Sequence, residues 1–275
     1  MRATSPAHKR RRRTFYADKS TLVAVLQRRL NTADEAVQSV TAMRTRWRSS
    51  RVVATLNDMD DEMLIAQAFQ IFIAGFETSS STATFALYQL AFHPEIQERL
   101  REEMLDNLTK HNQEVTYDGI KEMTYLHMVI SETLRMYPVI AFLDRVCQQD
   151  YQLPDPLREG SVTLPARTSV YIPLLGIHRN PEYYPDPEKF DPERFTEEGK
   201  QLRPKYSYLP FGDGPRNCLG KLFGLLQVKT ALIHILSKYV VTPCKDTPRN
   251  LVYDQKSFVL QTRDDIPLVF KRFGH

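Results

Sequence analysis

Phe211-Gly212-Asp213-Gly214-Pro215-Arg216-Asn217-Cys218-Leu219-Gly220 is the stretch on which the reading of this chain turns. Glycine turns freely through positive φ and proline fixes its own φ, so these residues shape a tight loop. An apolar, proline-free run from Leu219 to Tyr239 follows and predicts a helix, which puts Cys218 at a helix N-terminus. Backbone amides at that end stabilise a thiolate and lower the thiol's pKa. Three readings of Cys218 compete: an inert buried thiol, a nucleophile and a metal ligand. The first is the default for an isolated cysteine, because free Cys is commonly buried. A nucleophile wants a histidine base nearby, and His234 lies more than about four helical turns on. A single cysteine does not complete a zinc site. One thiolate does suffice as the axial ligand of haem iron, and the small Gly214 and Gly220 would let a flat macrocycle approach the backbone. Arg216, two residues before the sulfur, would meet an acidic edge of such a group.

Working upstream, Asn57-Asp58-Met59-Asp60-Asp61 offers capping oxygens and negative charge for a helix start. The segment then runs without proline to Phe92, roughly 32 residues and about 48 Å of helix. Its middle, Met63 to Phe76, is apolar nearly all round. A membrane span needs about 18 or more such residues, and this run is shorter and contains Gln67 and Gln70. It reads as a helix buried through the centre of a large core. His93-Pro94 ends it and opens a second helix, on which Ile96, Leu100, Met104 and Leu108 repeat on one face and Glu95–Arg99 makes a surface pair. A third helix spans Met123 to Met136 and stops at Tyr137-Pro138. Beyond it, Val139–Leu143 and Ser169–Ile172 suggest small β-hairpins, as do Leu251–Leu260 with Ile266–Phe270 near the end. Residues 180–217 are rich in proline and carry little periodicity; so long an irregular stretch is usually functional. Long helices and short strands without βαβ alternation make the chain mainly α, in the α+β class.

The 275 residues are 42% hydrophobic and 25% charged, which excludes global disorder, collagen and a bundle of membrane helices. Three scattered cysteines (Cys147, Cys218, Cys244) form no disulfide framework and no CxxC pair, and fit a reducing compartment. Charge divides the chain. Residues 1–56 hold 13 Lys/Arg against Asp18, Asp34 and Glu35, whereas the rest is acidic on balance. The run Lys9–Arg13 reads as a nuclear address, a phosphate-binding arm or, more simply, a solvated leader, since no aromatic interleaving accompanies it. No apolar core of a secretory signal precedes it. Ser20–Leu30 suggests a short helix. The expected division is therefore a basic leader, 1–56, and a structured body, 57–275.

With these residues in place, the chain resembles the cytochrome P-450 (haem-thiolate monooxygenase) family. The cysteine loop fits the pattern FxxGxRxCxG at every fixed position. Ala74-Gly75-Phe76-Glu77-Thr78 is similar to the family's oxygen-activating central helix, Glu132-Thr133-Leu134-Arg135 to its ExxR motif and Pro192-Glu193-Arg194-Phe195 to PERF. All four occur in the family's order. The resemblance covers about residues 57–272, the C-terminal half of a complete member, and is closest in texture to the microsomal, xenobiotic-metabolising branch of insects. It implies the C-terminal portion of the P-450 fold, with its long central helix, small hairpins and cysteine haem loop.

The resemblance also implies roles. Cys218 would be the iron's axial ligand, the sole metal contact from the protein. Phe211, Gly212, Gly220, Arg216, Arg145 and Ala74 would hold the haem, the two arginines at its propionates; taken alone, Arg145 is an ordinary surface arginine. Glu132, Arg135 and Arg194 would form a buried triad that supports the loop, because planar guanidinium forks match carboxylates. Thr78 would relay protons, fed by Glu77, with Gly75 leaving room for dioxygen. The hydroxyls of Ser79, Ser80, Ser81, Thr82 and Thr84 instead read as bonded to carbonyls one turn back. Val139, Ile140, Ala141 and Phe142, with the region of Ser257-Phe258-Val259, would line an apolar substrate pocket. His127 and His178 read as structural or surface histidines.

The implied activity is insertion of one oxygen atom of O2 into an apolar small molecule, with electrons from an NADPH-dependent reductase. Nucleic acid is not expected as a partner; a membrane surface is compatible. The implied location is the cytosolic face of the endoplasmic reticulum membrane. The family's N-terminal anchor and much of its distal roof have no counterpart here. That suggests a truncated or mis-joined gene product, or a short isoform, with apolar surface of the central helix left open. A non-catalytic fragment that binds haem poorly, or only engages partners, is the alternative reading.

Overall fold

Asp60 sets the start of the longest helix. Its carboxylate accepts a hydrogen bond from the Met63 amide at 2.8 Å, satisfying one of the orphan donors at the beginning of α1 (Asp61–Phe92). The computed structural model describes residues 15–17, 60–155 and 160–273. The Lys9–Arg13 run and the expected Ser20–Leu30 helix lie outside the described residues. At its far end α1 closes on His93, whose amide donates to the Leu90 carbonyl at 3.3 Å, and Pro94 opens α2 (Pro94–Lys110) where its missing amide costs nothing.

Only the second half of α1 is buried. Ala86, Leu87 and Leu90 are fully enclosed, while Ile65, Phe69 and Phe72 are 68%, 63% and 56% exposed. The expectation of a helix threaded through a core along its whole length is thus corrected. Its neighbours cover it only from Gly75 onward, where side chains turn half-buried and then buried. Among the described residues no helix is long and apolar enough to cross a membrane.

Helix α2 presents Leu100, Met104 and Leu108 to the core, with Ile96 packed at its edge. The expected Glu95–Arg99 pair is not the one formed: Arg99 reaches Glu193 and lies 3.9 Å over the ring of Tyr125. A pair along one exposed helix face is worth a few tenths of a kcal/mol, so a carboxylate combined with a π face outweighs it. Two buried polar residues of α2 tie elements together. Gln97 donates to the carbonyls of Leu90 and Val241, both at 2.8 Å, and accepts from the Val241 amide at 2.9 Å. Arg101 donates to Leu236 O at 3.0 Å and Tyr239 O at 3.2 Å.

Thr116 caps the short α3 (Tyr117–Glu122) through the Gly119 amide at 3.0 Å. Helix α4 (Thr124–Met136) has no side-chain cap of its own. The Glu103 carboxylate of α2 serves instead, accepting from the Tyr125 and Leu126 amides at 2.8 Å each. After α5 (Leu174–His178) and α6 (Glu197–Gln201), α7 (Lys221–Leu236) packs along α1 and buries Leu232, Ile233 and Leu236.

The strands form three small sheets. β2 (Leu143–Val146) pairs antiparallel with β5 (Ser169–Ile172), and the hairpin β3 (Tyr151–Pro154) with β4 (Ser161–Leu164) lies between them in sequence. Val139–Phe142 therefore precedes the strand rather than forming it. The third sheet has the order β1-β7-β6: β6 (Tyr239–Pro243) pairs with β7 (Leu268–Arg272), which on its other edge receives β1 (Phe15–Ala17). Three residues of the basic leader thus share a sheet with the C-terminal strand. The expected hairpin between Leu251–Leu260 and Ile266–Phe270 does not form. Within 251–260 one bridge, Tyr253 to Thr262, is made, and the Leu260 amide donates to Val139 O at 2.8 Å instead.

Candidate functional site

Glu132 and Arg135 stand one turn apart on α4, both completely buried. Two parallel bonds join them, Nε to Oε2 at 2.7 Å and Nη2 to Oε1 at 2.8 Å. Such a fork is the strong geometry for an arginine–carboxylate pair. Arg194, on the 3₁₀ turn Pro192–Phe195, brings its Nε to 3.5 Å from Glu132 Oε1, and the Asp191 amide donates to the same oxygen at 3.0 Å. Burial pushes the Glu132 carboxyl up from its ordinary value, against the opposing pull of Arg135, the Asp191 amide and Arg194. Arg135 also donates to the carbonyls of His178 at 2.9 Å and Pro187 at 2.8 Å. Glu132, Arg135 and Arg194 are therefore together, and they clamp the irregular stretch onto α4.

Sequence reasoning left His178 as structural or surface; the structure buries it fully. Its Nε2 accepts from the Leu209 amide at 2.9 Å, two residues ahead of the cysteine loop. Burial, and then the charge of Arg135, lower its pKa to about 4. Leu209 O in turn accepts from the Gly212 amide at 3.0 Å, and Phe211 O from the Cys218 amide at 2.8 Å.

In the loop, Gly212 and Gly214 take φ of +69° and +76°, the left-handed region that side chains resist. Arg216 closes the 3₁₀ turn Gly214–Arg216 and is exposed. Phe211 is half-buried against the core. Cys218 is exposed, three residues ahead of α7 rather than on its first turn.

On α1, Thr78 Oγ1 donates to the Ala74 carbonyl at 2.6 Å, so this pair is adjacent. Ser80, Thr82 and Thr84 bond carbonyls three or four residues back, as expected. Ser79 departs from that expectation and donates across to Gln227 Oε1 of α7 at 3.0 Å; the buried Ser81 hydroxyl has no partner. Gly75 faces α7, where an added Cβ would lie 4.0 Å from Phe223 and 3.9 Å from Gln227. Glu77 is half-buried on the same helix.

Arg145 lies on β2 opposite Val170, and its Nη1 donates to the neighbouring Asp144 carbonyl at 2.7 Å. The strand abuts the loop: Leu143 Cδ1 is 3.8 Å from where a Cβ on Gly212 would sit. Ala141 and Phe142 line a cleft of about 420 Å³ with Ser257, Phe258 and Val259, bringing the two expected substrate segments together. Val139 joins them through its bond from Leu260, and Ile140 is half-buried beside it. The residues that pattern reading missed are Glu103, Gln97 and Gln227, and for His178 it missed the partner. Each acts through a long-range polar bond that no local motif announces.

The residues present fit a flat group that brings most of its own ligands. Among the described residues no three His, Cys, Asp or Glu side chains gather to hold a metal ion. One exposed sulfur is offered, beside glycines 214 and 220, whose missing Cβ atoms would meet nothing within 4 Å. Leu219, 96% exposed, and the exposed Leu222 and Phe223 supply apolar surface around it. That donor chemistry suits a porphyrin with one axial thiolate.

The sequence pattern of the family described as Cytochrome P450 matches residues 4–269. The chain is 51% identical over 217 residues to Cytochrome P450 6j1 of Blattella germanica, covering 79% of this chain and 42% of that protein. It is 48% identical over 215 residues to Cytochrome P450 6k1 of the same insect (78% and 40%), and 47% over 211 residues to Probable cytochrome P450 6a23 of Drosophila melanogaster (77% and 41%). It spans about two fifths of the length of these relatives. Motifs, fold and likeness together place this chain in the cytochrome P450 family, in the branch that holds these insect proteins.

Proposed function

We propose that this chain carries the cysteine-ligand side of a haem-thiolate monooxygenase, which inserts one atom of O2 into an apolar small molecule using electrons from an NADPH-dependent reductase. The observation that carries this reading is the Cys218 loop: an exposed thiol on a glycine-shaped turn, its amide bonded to Phe211 O at 2.8 Å. Haem bound there would supply O2 activation, with thiolate electron density favouring O–O cleavage.

The chain's own residues do the holding and the proton work. Cys218 binds the iron, while Phe211, Gly212, Gly220 and Ala74 border the ring. Arg216 and Arg145 would neutralise its acid groups; Arg145 spends one donor on the Asp144 carbonyl at 2.7 Å and keeps the rest of its guanidinium for an anion. Thr78 would hold a transferable proton on Oγ1, freed for donation only when its 2.6 Å bond to Ala74 O is released, with Glu77 on the same helix as the acid that would replace it. Glu132, Arg135 and Arg194 support the loop and take no part in the chemistry. Ala141 and Phe142 present apolar side chains to the cleft, with Val139 and Ile140 leading into it, which favours an apolar substrate. The microsomal texture of the sequence supports a place on the cytosolic face of the endoplasmic reticulum membrane.

A reduced, carbon-monoxide-treated sample tests the reading. It should show the thiolate-type Soret band, and Cys218→Ala should abolish it; a band that survives the substitution removes Cys218 from the role. A second reading, in which this chain alone holds haem weakly and turns over little, is favoured by the exposure of Leu219 beside the sulfur. Folded protein that stays colourless with hemin decides for the second.

A further inference from the structure

A cavity of about 500 Å³ lies between α3, α4, α6 and α7; of the residues placed around the haem or the substrate, Leu222 alone reaches its lining. Ile120, Met128, Leu225 and Leu226 make its walls apolar. Lys229 of α7 stands among them only 8% exposed, its ammonium donating to the Ile120 carbonyl at 3.2 Å. An ammonium carries three donors, so one carbonyl leaves it under-satisfied. Among the described residues no carboxylate lies within ion-pair distance of it. Glu103, the acid whose field reaches Lys229, has both oxygens committed to the first amides of α4. Burial accordingly pulls the Lys229 pKa down, with Glu103 opposing. His127 shares the wall and is held neutral, its pKa lowered to about 4 by burial and then by Lys229, Lys200 and Lys221. At the rim, Lys200 and Glu197 satisfy each other at 2.7 Å.

A cation buried without a counter-charge is costly, and an anion that enters with its own apolar body offsets that cost. The volume falls within the range of small-ligand sites, roughly 300–1,000 Å³. We propose that this cavity binds a small amphiphilic monoanion, a carboxylate on a medium-length apolar chain, with the carboxylate on Lys229, His127 as a second donor in the same wall, and the chain against Met128, Leu225 and Leu226. The site is independent of the haem reading, so it is measured on haem-free protein.

The test is calorimetric titration of the full chain with decanoate and, as the neutral counterpart, decanol. Wild type should bind one decanoate about tenfold more tightly than decanol, the worth of one charge-assisted hydrogen bond. Lys229→Met should erase that preference and Lys229→Arg should keep it. Leu225→Trp, which fills the cavity, should remove the site for both probes. Phe69→Ser on the exposed face of α1 should change nothing, which separates the cavity from adsorption on that face. The proposal fails if Lys229→Met keeps the decanoate preference while folded, or if Leu225→Trp leaves the stoichiometry at one.

Discussion

The imidazole of His178 accepts the backbone amide of Leu209 at 2.9 Å while the carbonyl of the same histidine accepts Arg135 at 2.9 Å. One residue thereby joins the buried Glu132–Arg135 pair to the segment that leads into the cysteine loop. Removing the ring in His178→Ala strands the Leu209 amide, at a cost of about 1–3 kcal/mol. Urea unfolding should report that loss, and hydrogen exchange should speed up at Leu209 and Gly212. Glutamine at 178 offers an acceptor of similar reach and should recover part of both effects.

Acid should weaken the fold through the same residue. Its folded pKa of about 4 lies below the ordinary 6.5, so as pH falls the unfolded chain takes up the proton first. The stability is complete above about pH 6.5, falls as pH drops towards about 4 and levels off below that. The slope from this group is up to about 1.4 kcal/mol per pH unit. Denaturant midpoints between pH 7.5 and 4.5 should show a shallower decline in His178→Gln than in wild type.

The ion pair itself should be intolerant of half-measures. Glu132→Ala leaves Arg135 buried with no counter-charge, which costs about 3–5 kcal/mol. Arg135→Lys keeps the charge but cannot make two parallel bonds to Glu132 and still reach the carbonyls of His178 and Pro187. Thermal melts should place both variants well below wild type.

The sequence carried the four long helices and the Glu132–Arg135 pair clearly, because those signals are local, whereas Arg194 joins the pair from a distant turn and only the family resemblance pointed to it. The acidic start at Asp60, the break at His93-Pro94 and the i, i+3 spacing of Glu132 and Arg135 each act within one turn. Pairing of distant segments was less legible. Leu251–Leu260 has strand-like composition, yet the Leu260 amide goes to Val139, and a partner over 100 residues away leaves no mark on local pattern. Arg99 was misassigned for the same reason: Glu95 is near in sequence, but Glu193 is near in space. The exposure of Phe69 and Phe72 was not readable from an all-round apolar helix, since periodicity reports what a helix could bury and not what surrounds it.

Thr78 separates chemistry from stability. Its hydroxyl bonds only one turn back to Ala74 O on an exposed part of α1, so Thr78→Ala should shift unfolding by less than about 1 kcal/mol. If the hydroxyl passes protons in the haem-loaded protein, the same variant should release more hydrogen peroxide per NADPH consumed. Unchanged coupling would count against that role.

The open face of α1 should govern self-association. Phe72 stacks on Phe76 at 6.1 Å, and with Phe69 it forms an apolar surface of the kind that draws proteins together. The double substitution Phe69→Ser and Phe72→Ser should lower light scattering and dye binding, and change the unfolding free energy by no more than about 0.5 kcal/mol.

Glu103 gives α4 a dependence that its own sequence does not reveal. The first turn of that helix is closed by a carboxylate 22 and 23 residues upstream of the two amides it accepts, while Met123 contributes no side-chain bond. Nucleating a helix is the expensive step, and here the help arrives from a separate strut. The opening turn of α4 is thereby tied to α2, and through α4 so is the arginine clamp built on it.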